Sequence, residues 1–367
     1  MEIGDAVASP ISRDMVHSDH SMRLGKGEDR GGDEPLEGAM RYVFGPVASR
    51  RLGRSLGVDP IAFKTCNWNC VYCQLGRSAP LHTERADWAP AGDVVSEVRE
   101  ALSRLEPDAV DWITFGGSGE PTLHASLGQM IREVKRLTAV PVAVLTNGSL
   151  LLLPEVQRDL MAADAVLPTL DAGSPGVFQR INRPHPDLTF EQHVSGLEAF
   201  RSIYPGKLWV EVMLVRGLND SDEALGDLAR VLDRIRPDEV HVTRPVRPPA
   251  EGWVEPPSDE AVARITAALG RRAHVVPGQA PITDLSEHGD IHEAVLAILK
   301  RHPMSVGDLR DALSRWDPRQ VDAALAHLGE TEAVRQIQRL GQTFWAAADA
   351  RYGWPPPARN EGSDRSE

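Results

Sequence analysis

The chain has 367 residues, of which 41% are hydrophobic and 25% charged, as expected of a soluble globular protein with one large domain and a smaller one. Lys+Arg 40 against Asp+Glu 53 leaves a net charge of −13, which disfavours bulk attraction to nucleic acid or an anionic membrane, although local basic clusters can override the sum. The longest apolar runs, such as LWVEVMLV over 208–215, are broken by charge and too short to span a membrane, so a cytoplasmic location is expected.

Residues 1–40 are rich in Gly, Ser, Asp and Glu without an apolar period and are expected to form a disordered leader. The run FGPVASRRLGRSLGVDP carries Arg50, Arg51 and Arg54 ahead of a first strand expected just before Cys66. Cys66, Cys70 and Cys73 are the only three cysteines and fall within the eight-residue stretch CNWNCVYC. Three thiolates on one tight loop suit a 4Fe-4S cubane, each holding a different iron and leaving the fourth open to chelate a small molecule. A structural zinc site normally closes with four ligands, and His20, His82 and His124 do not sit at finger-like spacing. An odd, tightly packed cysteine count with no signal peptide argues against disulfides, and chance buried cysteines would be scattered.

Further along, WITF (112–115), VAVLTNG (142–148), AVLPTLDA (165–172), LWVEVMLV (208–215) and EVHVTRPV (239–246) are expected to be strands buried on both faces. Helical patterns separate them at Val94–Leu105, Leu127–Leu137, Pro154–Ala163, Phe190–Ile203 and Asp222–Ile235, with a last one at Asp259–Arg271. With the strand before Cys66 this makes six βα units, hence parallel strands with chemistry in the loops after their carboxyl ends. After WITF the loop GGSGEPTLH offers Gly116, Gly117 and Gly119 for close backbone approach, with Ser118 and the carboxylate of Glu120; an ordinary glycine-rich turn is the alternative. Thr146-Asn147-Gly148 ends the third strand, Asp171 the fourth, and Met213 lies on the fifth. A helix cap at Asn147 or Asp171 and simple core packing at Met213 are the competing readings. Arginines recur beside the strand ends at Arg51, Arg183, Arg244 and Arg247; they either bind an anion or pair with the chain's own acids.

Beyond an apolar stretch AHVVPG (273–278), residues 291–300, 306–313 and 318–328 read as three short helices, followed by a hairpin in VRQIQRLGQTFWAA. This pattern predicts a winged-helix-like domain over 288–350, before a disordered tail over 351–367. Its third helix carries Arg319 and Asp322, and 288–350 holds seven Lys/Arg against nine Asp/Glu, so sequence-specific DNA binding is disfavoured. Docking of a protein or peptide substrate and structural support remain open.

CxxxCxxC with Tyr72 before the last cysteine resembles the signature of the radical S-adenosylmethionine (SAM) enzymes. The resemblance covers roughly Arg41 to Pro249, including KTCNWNCVYCQLG, FGGSGEPTLH, INRPHPDLTF and VTRPVRPP. It is to a little-characterised group of radical SAM proteins whose core is similar to the enzymes that make the tricyclic wyosine base of tRNA. The resemblance implies a partial (β/α)6 barrel over 41–287, a 4Fe-4S cluster held by Cys66, Cys70 and Cys73, and SAM chelated to the open iron. It further implies SAM contacts from Tyr72, Gly116, Gly117, Ser118, Gly119 and Glu120, with Asn147 and Met213 near the nucleoside and Asp171 on the ribose. A one-electron donor such as flavodoxin or ferredoxin is implied as partner. Here no cysteines remain for a second cluster, which argues against wyosine synthesis and against auxiliary-cluster peptide chemistry. The expected activity is reductive cleavage of SAM to a 5′-deoxyadenosyl radical that takes hydrogen from an anionic substrate, RNA or a phosphorylated metabolite. Modification of a peptide docked on the C-terminal domain, and a non-catalytic iron–sulfur or zinc adaptor, are the alternatives.

Overall fold

The structure, a computed structural model, describes residues 42–277 and 290–353. The expected leader over 1–40, the boundary at 287/288 and the tail beyond residue 353 lie outside the described residues. Two strands, β1 (Val43–Ser49) and β2 (Gly53–Val58), open the described chain as an antiparallel hairpin. The sequence placed this run ahead of the first strand, whereas Arg50 and Arg51 occupy the hairpin turn and β2 is itself the first parallel strand. Gly45, Pro46, Gly53 and Gly57 break the apolar alternation that would have marked both strands.

From β2 the chain alternates. In order come α1 (Ala91–Arg104), β3 (Trp112–Phe115), α2 (Leu127–Leu137), β4 (Val142–Thr146), α3 (Pro154–Leu160) and β5 (Ala165–Pro168). Then follow α4 (Pro175–Ile181), α5 (Phe190–Ile203), β6 (Lys207–Met213), α6 (Asp222–Ile235), β7 (Glu239–Thr243), α7 (Asp259–Leu269) and β8 (Ala273–Val275). The eight strands form one sheet in sequence order, parallel throughout from β2 to β8, so the expected six-unit partial barrel is present with β1 and β8 added at its edges. The helices begin where the sequence supplies caps: Thr189 and Gln192 form a reciprocal capping box on α5, and Ser221 and Ser258 accept from Ala224 and Ala261.

Alternation along the strands sorts their side chains into two layers. Ile113, Phe115, Val142, Val144, Val210 and Val212 join helical residues such as Met130, Ile131 and Leu228 in the main core between sheet and helices. On the opposite, inner face Leu52, Ala143, Ala165, Leu167 and Trp209 pack with Trp112 and Leu145. That plug fills the inside of the sheet beneath the carboxyl-end loops.

After the barrel come α8 (Ile291–Arg301), β9 (Met304–Ser305), α9 (Val306–Ala312), α10 (Pro318–Glu330), β10 (Val334–Arg339) and β11 (Gln342–Ala347). Three helices and a hairpin therefore stand within two residues of the expected ranges. β9 completes an antiparallel sheet in the order β10-β11-β9. Val295, Leu299, Leu309, Leu325 and Trp345 form its separate core. No helix of the described residues is long and apolar enough to cross a membrane.

Candidate functional site

The cysteines lie in the loop between β2 and α1, pinned from several directions. Asn69 and Val71 donate backbone bonds to Asn182 and Ile181 at the end of α4, His185 N–H donates to Asn67 O, and Trp68 packs edge-on against Phe178 and His193. All three thiols are free and partly buried. Each sulfur also has its own side-chain N–H donor from a different segment. Asn147 Nδ2 lies 3.8 Å from Cys66 Sγ, Asn182 Nδ2 3.7 Å from Cys70 Sγ, and Lys64 Nζ 3.4 Å from Cys73 Sγ. Lys64 adopts a left-handed backbone with φ 65°, an uncommon state for a non-glycine residue.

Burial pushes the Cys66 thiol up to about 12, with the Glu120 charge adding to it, and pushes Cys70 well up. At Cys66 and Cys70 a thiolate is disfavoured until a cationic centre compensates it, as an iron cluster does. Among the described residues no three His, Cys, Asp or Glu side chains converge as they would on a single ion. Three soft donors on one loop, each with a hydrogen-bond donor at its sulfur, fit a cubane that binds each thiolate to a different iron.

The glycine loop after β3 interlocks with the cysteine loop. Lys64 N–H donates to Ser118 O and Glu120 N–H to Thr65 O. A Cβ at Gly119 would lie 2.0 Å from Thr65 O, so only glycine allows this approach. Gly117, at φ 139°, faces the Asp59 carboxylate in the same way, and Gly116 N–H donates to Val58 O. Asp59 accepts from Ser118 N at 3.1 Å and Ser118 Oγ at 2.6 Å, and takes Arg301 Nε of α8 at 3.2 Å.

Both carboxylates that the resemblance assigns to SAM are heavily engaged inside the protein. Glu120, 2% exposed, accepts from Thr122 N, Thr122 Oγ1 and Thr146 Oγ1 on Oε1 and from Asn147 N on Oε2. Burial raises its pKa, and the bonds from Thr122, Thr146 and Asn147 oppose the rise. Asp171, 1% exposed, accepts from Tyr72 Oη at 2.5 Å, Asn182 Nδ2 at 2.6 Å and Met213 N at 2.7 Å. Burial lifts it to about 6 against the pull of those three bonds. The structure thus brings together the cysteines, Tyr72, Gly116–Glu120, Asn147, Asp171 and Met213, with Glu120 and Asp171 as knots between loops.

The four arginines divide. Arg183 ion-pairs with buried Glu251, which also holds Arg77, and Arg244 pairs with Asp259. Arg51 reaches Glu211 on β6, while its buried Nε has no hydrogen-bond partner among the described residues. Among the described residues Arg247 Nη1 meets neutral atoms, Gln74 Oε1 at 2.9 Å and His302 Nδ1 at 3.3 Å. Sequence reasoning missed Lys64, Asn182 and Asp59, although each sits in a motif it quoted. It also missed Gln74, Arg301 and His302, since no local pattern announces that the end of α8 reaches the cluster loop.

Residues 61–229 match the family profile described as the radical SAM superfamily. The protein is accordingly a radical SAM enzyme, of the class that works with a 4Fe-4S cluster and SAM. Within that class the chain belongs to the UPF0026 family, being 32% identical over 280 residues to UPF0026 protein MJ1312 of Methanocaldococcus jannaschii, 75% of this chain and 87% of that protein. It is 36% identical over 299 residues to a Brachyspira hyodysenteriae protein named GTPase Obg, covering 81% of this chain but only 44% of that one. This sequence contains no G-x-x-x-x-G-K-S/T phosphate loop. GTP 3′,8-cyclase of Chlorobaculum tepidum is 29% identical over 181 residues, 48% of this chain and 50% of that protein. The crystal structure of a radical SAM methyltransferase from Sphaerobacter thermophilus superposes with TM-score 0.46 at 21% identity, over 60% of this chain and 65% of that one.

Proposed function

We propose that this enzyme cleaves SAM reductively to methionine and a 5′-deoxyadenosyl radical, which abstracts hydrogen from a small anionic substrate. Cys66, Cys70 and Cys73 would hold the cluster, whose bound form supplies the single electron that breaks the sulfonium bond; the electron itself comes from a donor such as flavodoxin or ferredoxin. The chain's own residues bind, orient and exclude water. Lys64, Asn147 and Asn182 donate to the sulfurs. Gly116–Gly119 lets backbone approach the methionine end of SAM, with Glu120 holding that loop to the end of β4 and offering its one open lone pair on Oε2 to the ammonium. Tyr72, Met213 and Asn147 border the space left for the nucleoside, and Asp171 fixes Tyr72 and Met213 beside it.

The observation that carries this reading is three half-buried thiols on one loop, each with an N–H donor, locked against a glycine loop whose Gly117 and Gly119 leave no room for a side chain. For the substrate, Arg51 and Arg247 favour an anion. A phosphorylated metabolite ranks ahead of RNA, in keeping with the GTP in the name of one relative. The C-terminal elements, winged-helix-like in their order, serve this site and are not read as a DNA reader.

Anaerobic reconstitution with iron, sulfide, reductant and SAM tests the reading: 5′-deoxyadenosine accumulates, and label from a deuterated cell extract appears in it. Stoichiometric zinc in the purified protein, or full turnover in Cys70→Ala, would refute it.

A further inference from the structure

The end of α8 reaches the cluster loop and Asp59 after β2. His302 Nδ1 lies 3.1 Å from Gln74 Nε2 and 3.3 Å from Arg247 Nη1, and since both neighbours are donors this nitrogen accepts and the ring proton sits on Nε2. Gln74, next to Cys73, also donates to Arg301 O at 3.1 Å and accepts from Arg247 at 2.9 Å. Arg51 comes from the β1–β2 turn, with its side chain only 14% exposed. Burial first, and then the charges of Arg50 and Arg247, lower Arg51 to about 9, while Glu211 pairs with it. Burial and Arg50 lower Arg247 to about 10, and His302 is held well below its ordinary value by burial and by Arg247, Arg301 and Arg50. Against these cations stand Glu211 on Arg51, Asp59 on Arg301, and the more distant charge of Asp308.

This concentration is unusual in a chain of net charge −13. Arginines on its surface find acids: Arg54 on Asp111, Arg201 on Asp238, Arg216 on Glu255 and Arg310 on Asp322. Among the described residues Arg247 has no ion-paired acid, only the more distant charge of Asp308, and a buried cation without a close counter-charge is costly. An RNA backbone asks for an exposed basic stripe, whereas this cluster is recessed, with side chains gathered from the cluster loop, the β7 loop and the end of α8.

We propose that Arg247 and His302, held together by Gln74, form a recessed subsite for the phosphate group of a small phosphorylated substrate, closed on one side by the C-terminal module. Arginine's planar fork matches a phosphate's paired oxygens, and His302 Nε2–H adds a donor. The proposal rests on the anionic-substrate reading above and deepens it. It also gives the C-terminal module a role in substrate binding.

The experiment measures inorganic phosphate binding to the full-length reconstituted protein by calorimetry, with 5′-deoxyadenosine formation followed on the same samples. Wild type should bind phosphate, Arg247→Gln should bind it roughly tenfold or more weakly, and Arg247→Lys, which keeps charge but loses the fork, should fall between. Arg216→Gln, a surface control, should bind as wild type. No phosphate binding by wild type, unchanged affinity in Arg247→Lys, or equal weakening in Arg216→Gln overturns the subsite. Tighter binding of malonate or of single-stranded RNA than of phosphate overturns its assignment to a phosphate monoester. Should Arg247→Gln fail to fold, the Lys variant decides alone. If phosphate binds as expected while no 5′-deoxyadenosine forms, the radical reading fails and the anion site stands.

Discussion

Lys64 shows how much chemistry one strained residue can carry. Its ammonium lies 3.4 Å from Cys73 Sγ and 2.5 Å from Gly76 O, in a backbone state that only its surroundings enforce. Hydrogen bonds and positive charge at a cluster sulfur favour the reduced, more negative cluster and so raise its potential. Lys64→Met should therefore lower the midpoint, on the order of 60 mV for a tenfold change in the one-electron equilibrium, as read by an electron-paramagnetic-resonance redox titration. An unchanged midpoint would leave Lys64 with only its bond to Gly76. Glu120 is the second residue-scale case. Because four internal donors converge on it, Glu120→Ala should lower folding stability by about 3 kcal/mol through stranded buried groups. Urea unfolding of the chain checks this, and wild-type stability combined with lost SAM affinity would instead make the carboxylate purely a ligand.

Between elements, His193 of α5 joins the cluster loop to the barrel. Its ring stacks on Phe178 of α4 and meets Trp68 edge-on, while Nε2–H donates to Thr169 O at 3.0 Å. Burial lowers its pKa from 6.5 to about 4, and no charged group is among the causes. The unfolded chain thus takes up this proton more readily than the folded one. The stability tied to neutral His193 is whole above about pH 6.5 and drains as pH falls toward 4, up to on the order of 3 kcal/mol. In urea titrations between pH 7.5 and 4.5, His193→Gln should flatten this dependence relative to wild type. Parallel slopes would show that the imidazole does not titrate with folding.

At the scale of the whole molecule, the last described residues close over the first motif. Arg77 N–H donates to Arg351 O at 2.5 Å, Tyr352 Oη to Gln74 O at 2.7 Å and Gly353 N–H to Ala250 O at 2.6 Å. The sequence assigned Arg351–Gly353 to a tail, yet they run beside the cluster loop in bridges with Gly76 and Glu251. A chain ending at Ala350 should lose about 3 kcal/mol of stability, roughly one for each bond, and should release iron faster on gel filtration. Iron retention equal to wild type would show that the strap does not guard the cluster.

The repeated alternation of apolar runs with helical periods was enough to determine the six βα units, because parallel strands buried on both faces must be separated by amphipathic crossovers. The three cysteines, their spacing and their glycine-loop companion were equally plain, since ligand chemistry and close backbone approach each demand particular residue types. The three C-terminal helices and their hairpin were legible for the same local reason. Strand β1 was not, because glycine and proline interrupt its pattern. What only the tertiary structure decided is which of several similar residues meet. Four arginines looked alike in sequence, but Glu251 and Asp259 neutralise Arg183 and Arg244, whereas Arg247 faces neutral Gln74 and His302. Glu120 and Asp171 stood out in sequence as carboxylates, and only the fold shows that each also ties neighbouring loops together through several internal donors. A carboxylate or guanidinium acts through its nearest opposite charge and its burial, and both are set by residues distant along the chain that the fold alone brings near.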